Sequence, residues 1–104
     1  MTISKQEFFT ASTLKRKAVF IEPLGSSVEI VEMDLQTRQD VLALSRDGKT
    51  AEVGEALMLS CVPILSESTK EDIAQLSPVI VEEIASAVFV LSGLIGSDEE
   101  AAKN

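Results

Sequence analysis

The sequence predicts an α+β fold, in which one N-terminal antiparallel β-hairpin is packed by a mainly α-helical remainder. Strict alternation of apolar side chains is confined to residues 17–33, and such alternation is typical of strands. After residue 34, apolar side chains recur at three- and four-residue spacing, which predicts helices. With 104 residues, of which 45% are hydrophobic, the chain can form its own core. We therefore expect a single domain over residues 1–96 and a disordered acidic tail over residues 97–104.

The predicted hairpin joins residues 17–22 to residues 28–33 through a loop that contains Pro23 and Gly25. Proline suits the first central position of a type I turn, and glycine can adopt the left-handed conformation that closes a longer hairpin loop. Alternation places the following apolar side chains on one face: Val19, Ile21, Val28 and Ile30. Because an isolated hairpin is not stable in water, we expect helices to cover this face.

Two helices flank the hairpin in the predicted order of elements. The Ser4 and Glu7 pair fits a capping box and predicts a short helix over residues 5–12, with Phe8 and Phe9 as its anchors. After the hairpin, Asp34 is placed to cap a helix over residues 35–46, whose apolar set is Leu35, Val41, Leu42 and Leu44. Gly48 is expected to end that helix.

Three further helices complete the expected domain. Thr50 is expected to cap a helix that continues to about residue 62, where Pro63 kinks or ends it. The spacing of Ser68 and Glu71 predicts a second capping box, which opens a short helix reaching residue 76. Ser77 and Pro78 then fit the cap and first position of a last helix, which ends between residues 92 and 95. The predicted core comprises Val19, Ile21, Val28, Ile30, Leu42, Leu57, Cys61, Ile80, Ile84, Val88 and Leu91.

The last predicted helix supplies the candidate functional residues. Its apolar side chains gather on one arc of roughly 120°, wide enough for a core-facing side; they are Ile80, Ile84, Ala87, Val88, Leu91, Leu94 and Ile95. Phe89 falls on the opposite side, and Val79 and Val90 lie together beside Glu83. Two interpretations stay open: another helix covers Phe89, or this side of the helix is a partner or oligomer surface. The candidate partner-binding residues are Phe89, Val90 and Val79.

Composition argues against several classes of function. The whole net charge of −8 lies in residues 50–104, which makes binding to nucleic acid or to an anionic membrane surface improbable. The chain has no histidine, no phosphate-binding glycine motif and a single cysteine, Cys61, whose apolar neighbours predict a buried, inert thiol. We therefore expect no enzyme activity, metal or cofactor. The start of the chain lacks a signal-peptide core and the longest apolar run has twelve residues, so we expect a soluble intracellular protein.

The order of these features resembles a known family. A short helix precedes the run from Val19 to Met33, which contains the Pro-x-Gly turn, and Thr37-Arg38-Gln39 follows in the next helix. An acidic helical half then includes Leu76-Ser77-Pro78 and closes with Leu91-Ser92-Gly93-Leu94. Over most of residues 5–95 the chain is similar to the tail assembly chaperones of long-tailed bacteriophages.

The resemblance implies a non-enzymatic role in virion morphogenesis. Such chaperones bind the tape measure protein and help to recruit tail tube proteins around it, in the host cytoplasm, and are absent from the mature virion. The resemblance also implies that a ribosomal frameshift can extend the C-terminus. Independently of the resemblance, a homo-oligomer is the alternative use of the side of the last helix that carries Phe89. Two alternatives are a small tail or neck structural protein, which stays in the particle, and an unrelated regulatory binding module.

Overall fold

In the computed structural model, which describes residues 2–94, the predicted α+β fold is confirmed. A two-stranded antiparallel sheet is followed by a helical remainder. In chain order the elements are α1 (Lys5–Ala11), β1 (Arg16–Ile21), β2 (Ser26–Val31), α2 (Leu35–Arg46), α3 (Thr50–Cys61), α4 (Lys70–Ala74) and α5 (Pro78–Leu91). Short 3-10 turns occupy Glu22–Leu24 and Pro63–Leu65. The expected acidic tail lies outside the described residues.

The hairpin has the predicted faces. Val19 pairs with Val28 across the two strands, and Lys17 pairs with Ile30. Directly paired residues share a face, and on this face Val28 and Ile30 are buried while Val19 is half-buried. Gly25 takes the expected left-handed conformation, with φ of 64°. Its N–H donates to the carbonyl of Ile21 at 3.0 Å, which closes the loop.

The first helix forms as predicted but its phenylalanines are not anchors. The capping box is present, because Ser4 Oγ accepts from the N–H of Glu7 at 3.1 Å and the N–H of Ser4 donates to Glu7 Oε1 at 3.0 Å. However, Phe8 is 56% exposed and Phe9 is 65% exposed, and no residue of α1 is buried. Local hydrogen bonds determine where such a helix begins, whereas its docking depends on contacts that the local pattern does not contain.

The observed caps of α2 and α4 lie at, or within one residue of, the positions predicted from the sequence. Asp34 caps α2, as predicted, by accepting from the N–H of Thr37 at 2.8 Å. In α4 the capping box uses Thr69 and Asp72, one residue later than the predicted pair of Ser68 and Glu71. The N–H of Ser68 donates to the carbonyl of Leu65, so this residue still belongs to the preceding turn. The predicted cap for α4 was therefore wrong by one residue.

The connection between α2 and α3 is a tight one around Gly48. With φ of 73°, Gly48 ends α2 as predicted, and the N–H of Lys49 donates to the carbonyl of Leu44 at 2.9 Å. This pair of features is a Schellman motif. The predicted cap on α3 was wrong, because Lys49 takes the cap position and Thr50 is the first helical residue. Lys49 therefore completes the Schellman motif of α2 and is also the cap residue of α3.

The core lies between the hairpin and the helices α3 and α5. The prediction was wrong for Leu42, which is 46% exposed, because Val41 faces the core instead and is 0% exposed. Three predicted core residues, Val19, Ile80 and Leu91, are half-buried against the core. The buried core comprises Ile21, Val28, Ile30, Met33, Val41, Val53, Leu57, Met58, Cys61, Val62, Ile73, Ile84 and Val88.

The helix α3 is more deeply buried than its amphipathic pattern indicates. It packs against α2, α4 and α5, so side chains on several of its sides are covered. Gly54 permits the close approach to α5, because a Cβ atom at this position would lie 3.2 Å from Cγ1 of Val81. Among residues 2–94, no helix combines the length and apolar character that crossing a bilayer requires.

Candidate partner-binding surface

The two sides of α5 have different surroundings. Ile84 and Val88 are buried in the core, with exposures of 4% and 0%. On the solvent side, Val79 is 56% exposed and Val90 is 47% exposed. These two valines are eleven residues apart, which corresponds to about 16 Å along a helix. The structure thus leaves two of the three predicted partner-binding residues accessible, one near each end of α5.

A shallow apolar seam runs between β1 and α5 and includes both valines. Two depressions form it, each with a volume of about 340 Å³, and both are lined by Val19. One is lined by Val19, Phe20, Ile21, Val79, Glu82, Glu83 and Ser86. The other is lined by Lys15, Lys17, Val19, Ala87, Val90 and Leu91. We call these two sets together the β1–α5 seam.

The two ends of the β1–α5 seam carry opposite charge. Glu82 and Glu83 line the end near the start of α5, whereas Lys15 and Lys17 line the end near its close. All four residues are exposed to solvent. Charges arranged in this way fix the direction in which an elongated partner lies more than they add to its affinity. The seam therefore has both an apolar strip and a preferred orientation.

Phe89 does not belong to the seam. It is half-buried and packs against the core, and it lines a groove between α3 and α5 together with Val53, Gly54 and Val81. This groove has a volume of about 500 Å³. Residues of α3 thus line this groove together with Phe89, and the two interpretations left open by the sequence stay predictions. Phe89 therefore lines a different depression from Val79 and Val90, although Glu82 and Ser86 line both this groove and the seam.

Phe20 is a surface residue that sequence reasoning did not select. Its side chain is 62% exposed and lines the same depression as Val79. The signal was present in the alternation of β1, which places Phe20 on the face opposite to Val19 and Ile21. The alternation did not indicate that Phe20 lies near α5, because the distance between a strand and a helix is a property of the tertiary structure.

Three ionisable groups of the described residues have shifted pKa values. Hydrogen bonds from Ser4 lower the pKa of Glu7, and those from Thr37 lower the pKa of Asp34. Burial, assisted by the negative charge of Asp34, raises the pKa of the Cys61 thiol to about 11. Within residues 2–94, no three His, Cys, Asp or Glu side chains are grouped to hold a metal ion. The pKa shifts of Glu7 and Asp34 thus arise from helix caps, and the shift of Cys61 arises from its burial in the core.

Comparisons with protein-family models, with curated proteins and with solved structures find no match to this chain. The protein is therefore classified by its own fold and surface. It is a small α+β domain with an accessible apolar seam that has charged ends.

Proposed function

We propose that this protein is a non-enzymatic tail assembly chaperone of a long-tailed bacteriophage, which binds the tape measure protein and helps to recruit tail tube proteins. The observation that carries the proposal is the β1–α5 seam, considered with the family resemblance of the sequence. In this proposal the chaperone acts in the host cytoplasm and leaves before the virion is complete.

The seam has the form expected of a site for a helical partner. An amphipathic helix binds a groove through apolar residues repeated at three- and four-residue spacing. Val79 and Val90 mark a strip about 16 Å long, which equals about three helical turns. Contact with exposed side chains such as Phe20 would exclude water from apolar surface, the main favourable contribution to association. A segment of the tape measure protein, which must stay soluble until the tube surrounds it, is the partner we propose.

The charged ends make the proposal directional. A helical segment with basic residues at one end and acidic residues at the other fits the seam in one orientation. Basic residues would lie beside Glu82 and Glu83, and acidic ones beside Lys15 and Lys17. Exposed pairs of this kind contribute about 0–1 kcal/mol each, so their role is orientation and encounter rate.

The test measures binding of a fragment of the tape measure protein encoded by the same genome. The double variant Val79→Ser/Val90→Ser should bind at least tenfold more weakly, because each valine that the partner covers contributes about 1 kcal/mol to binding. Its thermal melting should stay close to that of the wild type, since both side chains are exposed. The matched control is Leu35→Ser on α2, where the side chain is 72% exposed and lies outside the seam. Wild-type affinity in the double variant would contradict the seam as the binding site.

Phe89 provides a second comparison. Because its ring is half-buried against the core, Phe89→Ser should lower the melting temperature, unlike the double variant at Val79 and Val90. If Phe89→Ser kept full stability and abolished binding, the partner would occupy the α3–α5 groove and not the seam.

The alternative of a structural tail or neck protein makes a different prediction. Mass spectrometry of purified virions should not find a chaperone, but should find a structural component in stoichiometric amount. Neighbouring genes distinguish the regulatory-module alternative, because the chaperone gene should lie between those of the tail tube and the tape measure protein.

A further inference from the structure

We propose that the β1–α5 seam is self-complementary, and that the outer edge of β1 pairs antiparallel with the same edge of a second copy of the chain. A two-fold axis relates the two copies, and their hairpins form one continuous sheet. The inference goes beyond the proposed function, because the dimer needs this chain alone. Only its last consequence, competition with a tape measure segment for the seam, rests on the proposed function.

The outer edge of β1 has no strand beside it. In the described part of the chain, the sheet consists of β1 and β2 alone. The N–H of Glu32 donates to the carbonyl of Lys15 at 2.9 Å, so the backbone of Lys15 is directed towards β2. Because these groups alternate in direction along an antiparallel pair, Arg16, Ala18 and Phe20 direct theirs outwards. An edge of this kind is a template for pairing with another strand.

The side chains of β1 favour one register for this pairing. When Ala18 lies opposite Ala18 of the second copy, every residue of β1 has a partner, and Lys17 lies opposite Val19. A pairing centred on Lys17 would place two lysines directly opposite each other, which destabilises a sheet. A pairing centred on Val19 would run Arg16 against the 3-10 turn Glu22–Leu24 and would shorten the paired stretch. The register centred on Ala18 is therefore the one we adopt.

Charge complementarity identifies a second copy as the occupant of the seam. In the adopted register the two lysines of the basic end, Lys15 and Lys17, lie beside the acidic end of the second copy. They face its Ile21 and Val19, which line the same depression as the two glutamates of that end. The basic end of each seam thus meets the acidic end of the other. This match occurs twice in the dimer, as an isologous interface requires.

The two α5 helices would lie beside each other at an ordinary packing distance. Directly paired residues share a face, so both helices are on the same side of the sheet. The helix α5 packs against both strands of its own hairpin. The middles of two joined hairpins are two strand spacings, about 10 Å, apart, and packed helices are about 8–10 Å apart. The two-fold axis then brings Val79 of each helix, near its start, beside Val90 of the other, near its end.

The opposite face of the sheet is matched as well. Arg16 lies opposite Phe20 of the second copy in the adopted register. A guanidinium group is attracted to the face of an aromatic ring. The ion pair of Arg16 with Glu29, at 3.3 Å, keeps the guanidinium on this face. The side chain of Phe20, which is 62% exposed in a single copy, would thus gain a neighbour.

The first experiment measures the mass of the full chain by light scattering and sedimentation over a range of concentrations. The wild type should approach twice the chain mass of 11.2 kDa as the concentration rises. Ala18→Pro should weaken association at least tenfold, because proline removes an outward N–H and yet is tolerated on an edge strand. Circular dichroism should show that this variant is folded. A wild type that is monomeric at all concentrations would overturn the proposal.

Ser27→Pro is the matched control. Ser27 lies opposite Phe20, so its backbone is directed outwards from β2, at the other edge of the sheet. This variant should associate like the wild type. If Ser27→Pro separated the copies and Ala18→Pro did not, the second copy would pair with β2, and the proposal would be wrong.

Charge reversal tests the register. Lys15→Glu/Lys17→Glu should associate at least tenfold more weakly than the wild type, because like charges then meet at both ends of the interface. Glu82→Lys/Glu83→Lys should have the same effect for the same reason. An equimolar mixture of these two variants should form a mixed dimer, since opposite charges meet again at both ends. Absence of the mixed dimer would overturn the proposal.

Two further variants control for net charge. Lys5→Glu/Lys70→Glu and Glu67→Lys/Glu71→Lys make the same charge changes at exposed residues outside the seam. Both should associate like the wild type. Equal weakening in the seam variants and in these controls would show that general repulsion, and not the seam, governs association, and it would contradict the proposal.

Binding of the tape measure fragment separates this proposal from the proposed function. Since Ala18 does not line the seam, Ala18→Pro should bind the fragment at least as tightly as the wild type, in which the second copy competes. A wild type that forms dimers but does not bind the fragment would contradict the proposed function alone. A monomeric wild type that binds the fragment would contradict the dimer alone.

Discussion

The backbone N–H of Met33 donates a hydrogen bond of 2.9 Å to Oγ of Ser92, across 59 positions of sequence. Met33 is buried and follows β2, and Ser92 is the residue that ends α5. The bond therefore holds the end of the last helix to the end of the hairpin. Gly93, with φ of 78°, lets the chain leave the helix in a Schellman motif, in which the N–H of Leu94 donates to the carbonyl of Phe89.

Ser92→Ala should destabilise the domain by about 1–3 kcal/mol, because the N–H of Met33 would lose its acceptor in a partly buried place. Urea denaturation followed by circular dichroism measures the change. Ser86→Ala is the matched control, since Ser86 is exposed on the same helix and should cost nothing. If the two variants were equally stable, the bond to Met33 would not contribute to stability.

Ile84→Ala should lower the free energy of unfolding by about 2–5 kcal/mol, through lost transfer energy and the cavity that remains. The side chain is 4% exposed and belongs to the core cluster. Chemical denaturation is the measurement, and Val79→Ala on the exposed side of α5 is the comparison. A shift under about 1 kcal/mol for Ile84→Ala would place this residue outside the core.

Thr69→Ala should cost about 0.5–2 kcal/mol, because the Thr69 hydroxyl accepts from the N–H of Asp72 at 3.2 Å and caps α4. Ser68→Ala should cost clearly less, since Thr69 and not Ser68 forms the capping box. Thermal or urea denaturation measures the loss of stability in both variants. A larger loss for Ser68→Ala would indicate that the cap begins one residue earlier, as the sequence alone suggested.

Cys61 should resist thiol reagents in the folded protein and react when the chain is unfolded. Its side chain is 1% exposed, and burial raises its pKa from an ordinary value of 9.0 to about 11. A colour assay with an aromatic disulfide, performed with and without denaturant, measures this difference. Rapid labelling of the native protein at neutral pH would show that the thiol is accessible.

The same shift predicts a loss of stability in alkaline solution. The Cys61 thiol loses its proton at a lower pH in the unfolded state than in the folded state. The free energy of unfolding therefore falls as the pH rises from about 9 to about 11. Below pH 9 this contribution is fully present. Comparison with Cys61→Ala, which lacks the ionising group, isolates the effect, and parallel pH profiles for both proteins would contradict it.

Helix ends and the buried face of the hairpin could be predicted from the sequence, because both depend on local chemistry. Asp34, Gly48 and the Ser4–Glu7 pair mark helix ends because the hydrogen bonds that they form, or the backbone angles that they adopt, involve only nearby residues. Alternation likewise predicted the buried face of the hairpin, since a strand sends successive side chains to opposite sides. The α+β class follows from these two kinds of local signal.

Other features depended on which elements became neighbours. Leu42 and Val41 are adjacent and both apolar, and only the packing of α2 against α3 selected Val41 for the core. Phe89 is half-buried and lines the groove between α3 and α5. Phe20 lines the same depression as Val79, because β1 packs against α5. Burial and surface grooves arise from contacts between distant parts of the chain. For this protein, the sequence by itself therefore determined the order of the elements and the caps of α1 and α2, whereas the tertiary structure decided which apolar residues form the seam and the core.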